Sequence, residues 1–261
     1  MTDAQSLAGV TVAVTRPAKQ AGPLCQLIEA KGGKAISFPS LEILAVEQSE
    51  KTESIAKRLH LFDMAIFISV NAVAGAAQLI GDTLPPELTL AAVGDSSRKA
   101  VKQQWQQPVL CPDSGANSEA LLAMAELQQI QGRNILIFRG QGGRELLAQT
   151  LTQRGATVEY AEVYRRTRPT GNLGALLQQS PAIDLITATS NESLQNLYDM
   201  ASNDQQRSAL VAKQLIVISA RTAQLAQQLG FRQPAIVSQQ SNDQGLVTAM
   251  QAWHNKQNNN H

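Results

Sequence analysis

Short apolar runs alternate with longer amphipathic stretches along this chain, and that alternation limits its possible folds more than any single residue does. The runs lie at residues 10–15, 64–69, 90–93, 134–138, 183–188 and 215–218. Each is too short for a helix and predominantly apolar, the pattern of a parallel strand covered on both faces. Helical patterns such as Leu24-Leu27-Ile28 and Leu146-Leu147-Thr150-Leu151 lie between them. Gly32, Gly155 and Gly230 follow amphipathic runs, where a left-handed C-cap stops a helix. Strand, helix, strand in regular succession predicts an α/β fold of parallel sheets with helices on both faces.

Composition narrows the function classes. The 261 residues are 43% hydrophobic and 16% charged, enough for one large or two small domains and too apolar for a disordered chain. A net charge of +1 leaves no bulk basic surface for nucleic acid. No apolar run approaches the roughly 20 residues that span a bilayer, so no membrane partner is expected. Residues 1–9 lack the basic start and apolar core of an export signal, which points to the cytoplasm. Cys25 and Cys111 make no disulfide framework and read as small thiols in a reducing compartment. His254 and His261 fall in a polar tail, leaving only His60 in the body. Neither a histidine metal site nor a Ser-His-Asp triad is expected. Residues 255–261 read as a disordered tail. Nothing marks a dedicated interface, so a monomer is expected.

The chain also repeats itself. VTRPAKQAGPLCQLIEAKGGKAISFP and FRGQGGRELLAQTLTQRGATVEYAEVY are each a strand ending near Arg, a loop, a helix, a glycine and a second strand. Arg139 follows Arg16, and Gly155 follows Gly32, by 123 residues. Ser190 follows Ser69 by 121, and Ser219 follows Gly94 by 125. Such offsets predict two similar halves and, taken alone, one cut near Gln131. A chance match between strand–helix units is the alternative.

Each landmark lies where a strand ends and a helix begins. The six turns are Thr15-Arg16-Pro17, Ser69-Val70-Asn71, Gly94-Asp95-Ser96-Ser97, Arg139-Gly140-Gln141-Gly142-Gly143, Thr189-Ser190-Asn191 and Ser219-Ala220-Arg221-Thr222. Any one of them could be a helix cap and nothing more. Together they gather at the carboxyl edges of open parallel sheets, where ligands bind and helix N-termini favour anions. Two such edges facing across a cleft would hold a large, multiply anionic ligand. RGQGGRE at 139–145 lacks the third glycine of a dinucleotide loop and the Gly-Lys-Ser/Thr ending of a P-loop. It offers flexible backbone with Arg139 and Arg144 as bidentate partners for a carboxylate, while Arg144-Glu145 also reads as a solvated helix start. Among the acid–base candidates, Tyr164 ends a strand run and reads either as a functional hydroxyl or as a wedged, hydrogen-bonded tyrosine. His60 reads as a cation at a helix C-terminus, and Asp63 and Asp184 as caps or turns ahead of strands.

From about Val10 to Trp253 the sequence resembles the uroporphyrinogen-III synthase family. The resemblance rests on VTRP at 14–17, FP at 38–39, SVNAV at 69–73, AVG at 92–94 and FRGQGGRELLAQTLTQRGA at 138–156. VYRR at 163–166, TSNE at 189–192 and ISARTAQLAQQLGF at 218–231 complete it. It implies a bilobed molecule of two flavodoxin-like parallel-sheet domains joined by two extended linkers. Residues 1–38 would join 168–261, and 42–163 would form the inserted domain, with linkers near 39–41 and 163–167.

The resemblance further implies cyclisation of hydroxymethylbilane to uroporphyrinogen III, with inversion of ring D and loss of water through a spiro intermediate, and no cofactor. The substrate carries acetate and propionate on every ring. Transient contact with the enzymes that make the bilane and consume uroporphyrinogen would accompany that role in porphyrin and heme biosynthesis. Carried over residue by residue, Tyr164 is the candidate catalytic group. Arg16, Ser69, Asn71, Ser97, Arg139, Gly140, Gly142, Thr189, Ser190, Ser219 and Thr222 are substrate-binding candidates; Ser97 stands where the family commonly has Thr. Two rivals are a two-lobed anion-binding protein without catalysis, against which the missing export signal counts, and a phosphosugar isomerase or sugar-binding regulator, whose Glu/His or Lys base none of the six turns supplies.

Overall fold

The computed structural model describes residues 6–47 and 50–259. Its strands are β1 (Thr11–Val14), β2 (Lys34–Ser37), β3 (Glu42–Ala45), β4 (Met64–Phe67), β5 (Thr89–Ala92), β6 (Val109–Leu110), β7 (Asn134–Gly140), β8 (Thr157–Thr167), β9 (Leu185–Ala188), β10 (Gln214–Val217) and β11 (Ile236–Val237). Its helices are α1 (Ala18–Ala30), α2 (Glu50–Lys57), α3 (Val70–Ile80), α4 (Asp95–Trp105), α5 (Ser118–Leu122), α6 (Leu146–Gln153), α7 (Leu173–Gln178), α8 (Asn191–Asp199), α9 (Asp204–Val211), α10 (Ala220–Gln228) and α11 (Asp243–Asn258). All six apolar runs contain strands. Gly32, Gly155 and Gly230 sit at φ +81°, +86° and +83°, left-handed positions where a side chain costs about 1–2 kcal/mol.

The chain divides into two compact units, Met1–Glu42 with Thr167–His261, and Ile43–Arg166. The first holds a sheet in the order β11-β10-β9-β1-β2, the second one in the order β3-β8-β7-β4-β5-β6. Within the first, the strands follow the doubly wound 2-1-3-4-5 order of flavodoxin, and every pair is parallel. In the second unit, β8-β7-β4-β5-β6 repeats that spatial order, again with parallel pairs.

The sequence offsets reappear as strand register. Val14 faces Thr187 as Ile137 faces Ile66, and Val217 faces Ala188 as Ala92 faces Phe67. Yet each sheet draws strands from both repeats: β1 and β2 pair with β9–β11, and β7 and β8 with β4–β6. The single cut near Gln131 is therefore corrected. Cutting there would leave the inner edges of β1, β4, β7 and β9 as rows of unpaired N–H and C=O groups, which pairing across the repeats satisfies.

Asp63 and Asp184 do not cap helices. The Thr11 amide donates to Asp184 Oδ2 at 2.8 Å and the Asn134 amide to Asp63 Oδ2 at 2.7 Å, so each carboxylate fastens the start of the neighbouring strand. In both units the helices after the two central strands lie on opposite faces. Leu24 and Ile28 of α1 pack in one core layer of the first unit, Leu194 and Leu197 of α8 in the other. In the second unit Ala72 and Val73 of α3 share a layer with Phe67, Phe138 and Trp105, while Leu147 and Leu151 of α6 pack with Ile66 and Ile137. The chain thus reverses direction at β1/β9 and at β4/β7, and the crevices outside those strand ends are the switch points where ligands bind in such sheets.

Helix α11 starts at the Asn242 cap, whose Oδ1 accepts the Gly245 amide at 2.8 Å, and buries Leu246, Val247 and Met250. It runs to Asn258, so residues 255–258, expected in a disordered tail, are its last exposed turn. Residues 260–261 lie outside the described residues. Among the described residues no helix is long and apolar enough to cross a membrane.

Candidate functional site

Three of the six turns are serine-capped helix starts. Ser69, Ser190 and Ser219 accept the amides of Ala72, Ser193 and Thr222 at 3.1, 3.0 and 3.2 Å. Each occupies one otherwise unpaired amide, and the other first-turn amides keep the partial positive charge of the helix end. Gly94 caps α4 with bare backbone; a Cβ there would stand 2.8 Å from the Ala116 Cβ.

In the second unit the Ser69 turn meets Tyr164. Tyr164 is only 5% exposed, and its hydroxyl lies 3.2 Å from Ser69 Oγ. The Gln141 amide donates to the Tyr164 carbonyl at 2.8 Å, just past a register shift between Arg139 and Gly140. That shift lays Gly140 against the tyrosine ring, where a Cβ would come within 2.6 Å of Cε2, so only glycine leaves the ring its place. Tyr164 is thus held by ring packing, backbone and hydroxyl at once. Asn71 is half-buried in the first turn of α3, and Ser97 is buried on the inward side of α4.

Arg139 is braced within its own unit. Its side chain is 4% exposed, bonds Glu145 at 2.8 Å, donates to the carbonyls of Gly140 and Gly142, and lies over the Tyr160 ring at 4.3 Å. Glu145 also accepts the Tyr160 hydroxyl at 2.7 Å. Burial first, then that carboxylate, push the Tyr160 phenol up to about 12, so it keeps its proton at neutral pH. Glu145 is held below the usual carboxylate range by the Tyr160 hydrogen bond and then by Arg139. Its carboxylate faces inward partners, not only solvent as a bare helix start would. Gly142 lies exposed in the loop that Arg139 ties down.

In the first unit Arg16 bonds Asp243 at 2.5 Å. Thr222, 1% exposed, donates to Asn191 Oδ1 at 3.0 Å and lies 2.9 Å from Ser219 Oγ, coupling the starts of α8 and α10. Thr189 is half-buried beside Ser190. Behind these turns lies a hydroxyl network that sequence reading missed. Thr15 donates to the Thr187 carbonyl at 2.6 Å, Ser40 donates to the Ser193 carbonyl at 2.8 Å, and Ser193 Oγ lies 2.7 Å from Ser40 Oγ and 3.1 Å from Thr15 Oγ1. The structure therefore gathers Ser69, Asn71, Arg139, Gly140, Gly142 and Tyr164 within one unit and Arg16, Thr189, Ser190, Ser219 and Thr222 within the other. Sequence reading notes Tyr160 only as an aromatic hydroxyl, and Thr15 and Asn191 only as members of turns; it does not foresee the bonds of Glu145, Asp243 and the network, and for Ser193 the spacing of three from Ser190 is the available signal.

Burial pushes both thiols up, Cys25 and Cys111, so they are poor nucleophiles. Among the described residues no three His, Cys, Asp or Glu side chains converge as metal ligands would.

The family model described as uroporphyrinogen-III synthase HemD matches residues 23–248. The chain belongs to the uroporphyrinogen-III synthase family. It is 32% identical over 247 residues to a uroporphyrinogen-III synthase of Escherichia coli, covering 93% of this chain and all of that relative. Its match to the Salmonella typhimurium synthase is 33% over 250 residues, with the same coverage. Among solved structures, a mutant uroporphyrinogen III synthase from Thermus thermophilus covers 95% of this chain and 100% of its own, with a TM-score of 0.63 at 18% identity. The Helicobacter pylori enzyme covers 94% and 99%, with a TM-score of 0.59 at 13% identity. At those identities the likeness concerns the fold, and this family fold agrees with the doubly wound sheets described above.

Proposed function

We propose that this chain is a lyase that closes hydroxymethylbilane to uroporphyrinogen III in the cytoplasm, inverting ring D. Family membership across residues 23–248 carries the reading, and the chemistry of the turns agrees with it. The pyrrole nitrogen of ring A expels the terminal hydroxyl as water and leaves an azafulvene. Ring D attacks through its already substituted carbon to give a spiro intermediate, which opens and recloses with ring D inverted. Unaided, the bilane closes without inversion, so the catalyst's main work is to hold the substituted carbon as the nearer nucleophile.

The substrate's acetates and propionates match the turn amides at Ser69, Asn71, Thr189, Ser190, Ser219 and the loop at Gly140–Gly142. Arg16, Arg139, Ser97 and Thr222, buried or internally bonded, hold those turns in shape. Tyr164 supplies a hydrogen bond or proton to the departing hydroxyl. Ser69 can donate its own proton to the tyrosine oxygen, which leaves the phenol proton available. Passing contact with the bilane-forming and uroporphyrinogen-consuming enzymes suits an unstable substrate.

The test is incubation with freshly generated hydroxymethylbilane, oxidation of the product and chromatographic separation of isomers I and III. Predominant isomer III at catalytic protein concentration is expected. Isomer I alone at the spontaneous rate, from folded protein, would overturn the reading in favour of an anion-binding protein.

A further inference from the structure

At the β4/β7 switch point of the second unit lies a cavity of about 410 Å³. Its floor is apolar, built from Ile68, Val93, Ile137 and Leu147, with the Tyr160 ring beside them. Its wall includes Arg139, Arg144 and Arg166 and, among the described residues, no Asp or Glu. Arg139 is balanced by Glu145, which leaves Arg144, only loosely paired with Glu119, beside the oily floor. The volume lies at the small end of the roughly 300–1,000 Å³ of ligand pockets, enough for one substituted ring and not for four.

Arg139 and Arg144 are in different states. Arg139 is committed to Glu145 and the loop carbonyls. Arg144 is 70% exposed and meets Glu119 only at 3.5 Å, an exposed pair worth little, so its planar fork can be recruited by an incoming carboxylate. In the first unit the guanidinium at the equivalent strand end, Arg16, is paired with the chain's own Asp243. The loop between Arg139 and Arg144 passes the cavity with Gly142 and Gly143 at φ +71° and +106°, conformations that leave its backbone close to any occupant. Gly140 also lines the cavity and lies against the Tyr164 ring.

We infer that this cavity is a binding site of the second unit for a single flat, carboxylate-bearing ring, with the ring on Ile68 and Ile137 and its carboxylates toward Arg144 and the glycine loop. In taking that ring to be a pyrrole with an acetate and a propionate, the inference rests on the function proposed above. A ring seated there lies beside the glycine that packs against Tyr164, and the site recognises a monopyrrole without the rest of the tetrapyrrole.

The experiment is a methyl NMR titration of the full chain, labelled at isoleucine, with 3-(carboxymethyl)-4-(2-carboxyethyl)pyrrole. The methyl signals of Ile68 and Ile137 should shift saturably while those of Ile186 and Ile216, in the first unit, stay in place. Arg144→Gln, an exposed change that leaves the core intact, should weaken binding at least threefold, and Ala116→Trp, on the exposed rim, should abolish it. The dimethyl ester of the same pyrrole should bind at least tenfold more weakly. Unmoved Ile68 and Ile137 signals, equal binding of the ester, or equal shifts from orthophosphate alone would overturn the inference. Isomer III production by a protein whose Ile68 and Ile137 ignore the pyrrole would sink the cavity and leave the proposed function standing. Saturable binding without isomer III would do the reverse.

Discussion

Around the carboxyl ends of its central strands the first unit places Thr15, Thr187 and, in α8, Ser193, where the second, at the positions equivalent by the repeat offsets, places Phe138, Ile66 and, in α3, Ala72. Ser40, which joins the first group, corresponds to Val163, and Leu41 corresponds to Tyr164. Three hydroxyls no more than 2% exposed, those of Thr15, Ser40 and Ser193, bind one another in the first unit, and Thr187 joins them through its backbone carbonyl. In the second, Phe67 and Phe138 stack at 5.1 Å with rings 9° apart. One backbone frame therefore accepts two fillings, because inward alternation sets the register and the filling needs only to be packed and hydrogen-bonded. The difference also sorts the chemistry. Polar groups in the first unit are consumed in holding turns together, whereas the second confines its hydroxyls at this corner to one pair, Ser69 and Tyr164, against a glycine.

The largest expected effect comes from forcing the second filling toward the first. Phe138→Thr removes a fully buried ring and leaves a cavity, and should cost about 3–5 kcal/mol in denaturant unfolding of the second unit; a loss below about 1 kcal/mol would show that the stack is not what fills that corner. Next comes Gly140→Ala, whose Cβ must displace the Tyr164 ring. It should cost about 1–3 kcal/mol, with a fall in turnover that Ala substitution at the exposed Gly142 does not match. A variant as active and stable as the parent would mean that the ring has room to move.

The paired caps sharpen the comparison at smaller scale. Ser69→Ala and Ser190→Ala should each cost about 0.5–2 kcal/mol, since both serines satisfy one helix amide. Only Ser69→Ala should also lower turnover, because only Ser69 touches the tyrosine hydroxyl; equal rate effects would erase the distinction between the units. Smallest is the strand clamp at Asp63, whose carboxyl is held below its ordinary range chiefly by the Asn134 amide. A depressed folded pKa stabilises fully above the unfolded value of about 3.9 and is lost as pH falls through the lower folded value. The stability gap between the parent and Asp63→Asn, read from denaturant unfolding, should therefore be present at pH 6 and close below about pH 4, and at such an exposed site it stays under about 1 kcal/mol. A gap that widens on acidification would contradict the clamp.

Much of the frame was legible in the sequence because it is local. Apolar runs set the strands, glycines at φ near +80° set the helix ends, and the offsets of 121, 123 and 125 turned out to be register. The exchange of strands between repeats was not, since Arg16 and Arg139 look alike whichever partner strand lies beside them; resemblance to the family supplied what periodicity could not. In the site, Ser69, Ser190 and Ser219 read as caps and are caps. The bonds that Thr15 and Ser40 make gave no signal, because a hydroxyl at a strand end looks the same whether it meets water or another buried hydroxyl. Glu145 was read through its neighbour Arg144 as a solvated helix start, while its two partners lie 6 and 15 residues away. Helix α11 outran its expected end because its capping and burial near Leu246 and Met250 sustain polar residues that have no apolar period of their own.

The measurement that bears most directly on this division of labour is the turnover and product isomer of Tyr164→Phe with hydroxymethylbilane. If the turns position the substrate and Tyr164 assists loss of the hydroxyl, turnover falls several-fold to about a hundred-fold while isomer III still predominates. An unchanged rate would remove Tyr164 from the chemistry, and a switch to isomer I would show that the tyrosine positions the chain instead of moving its proton.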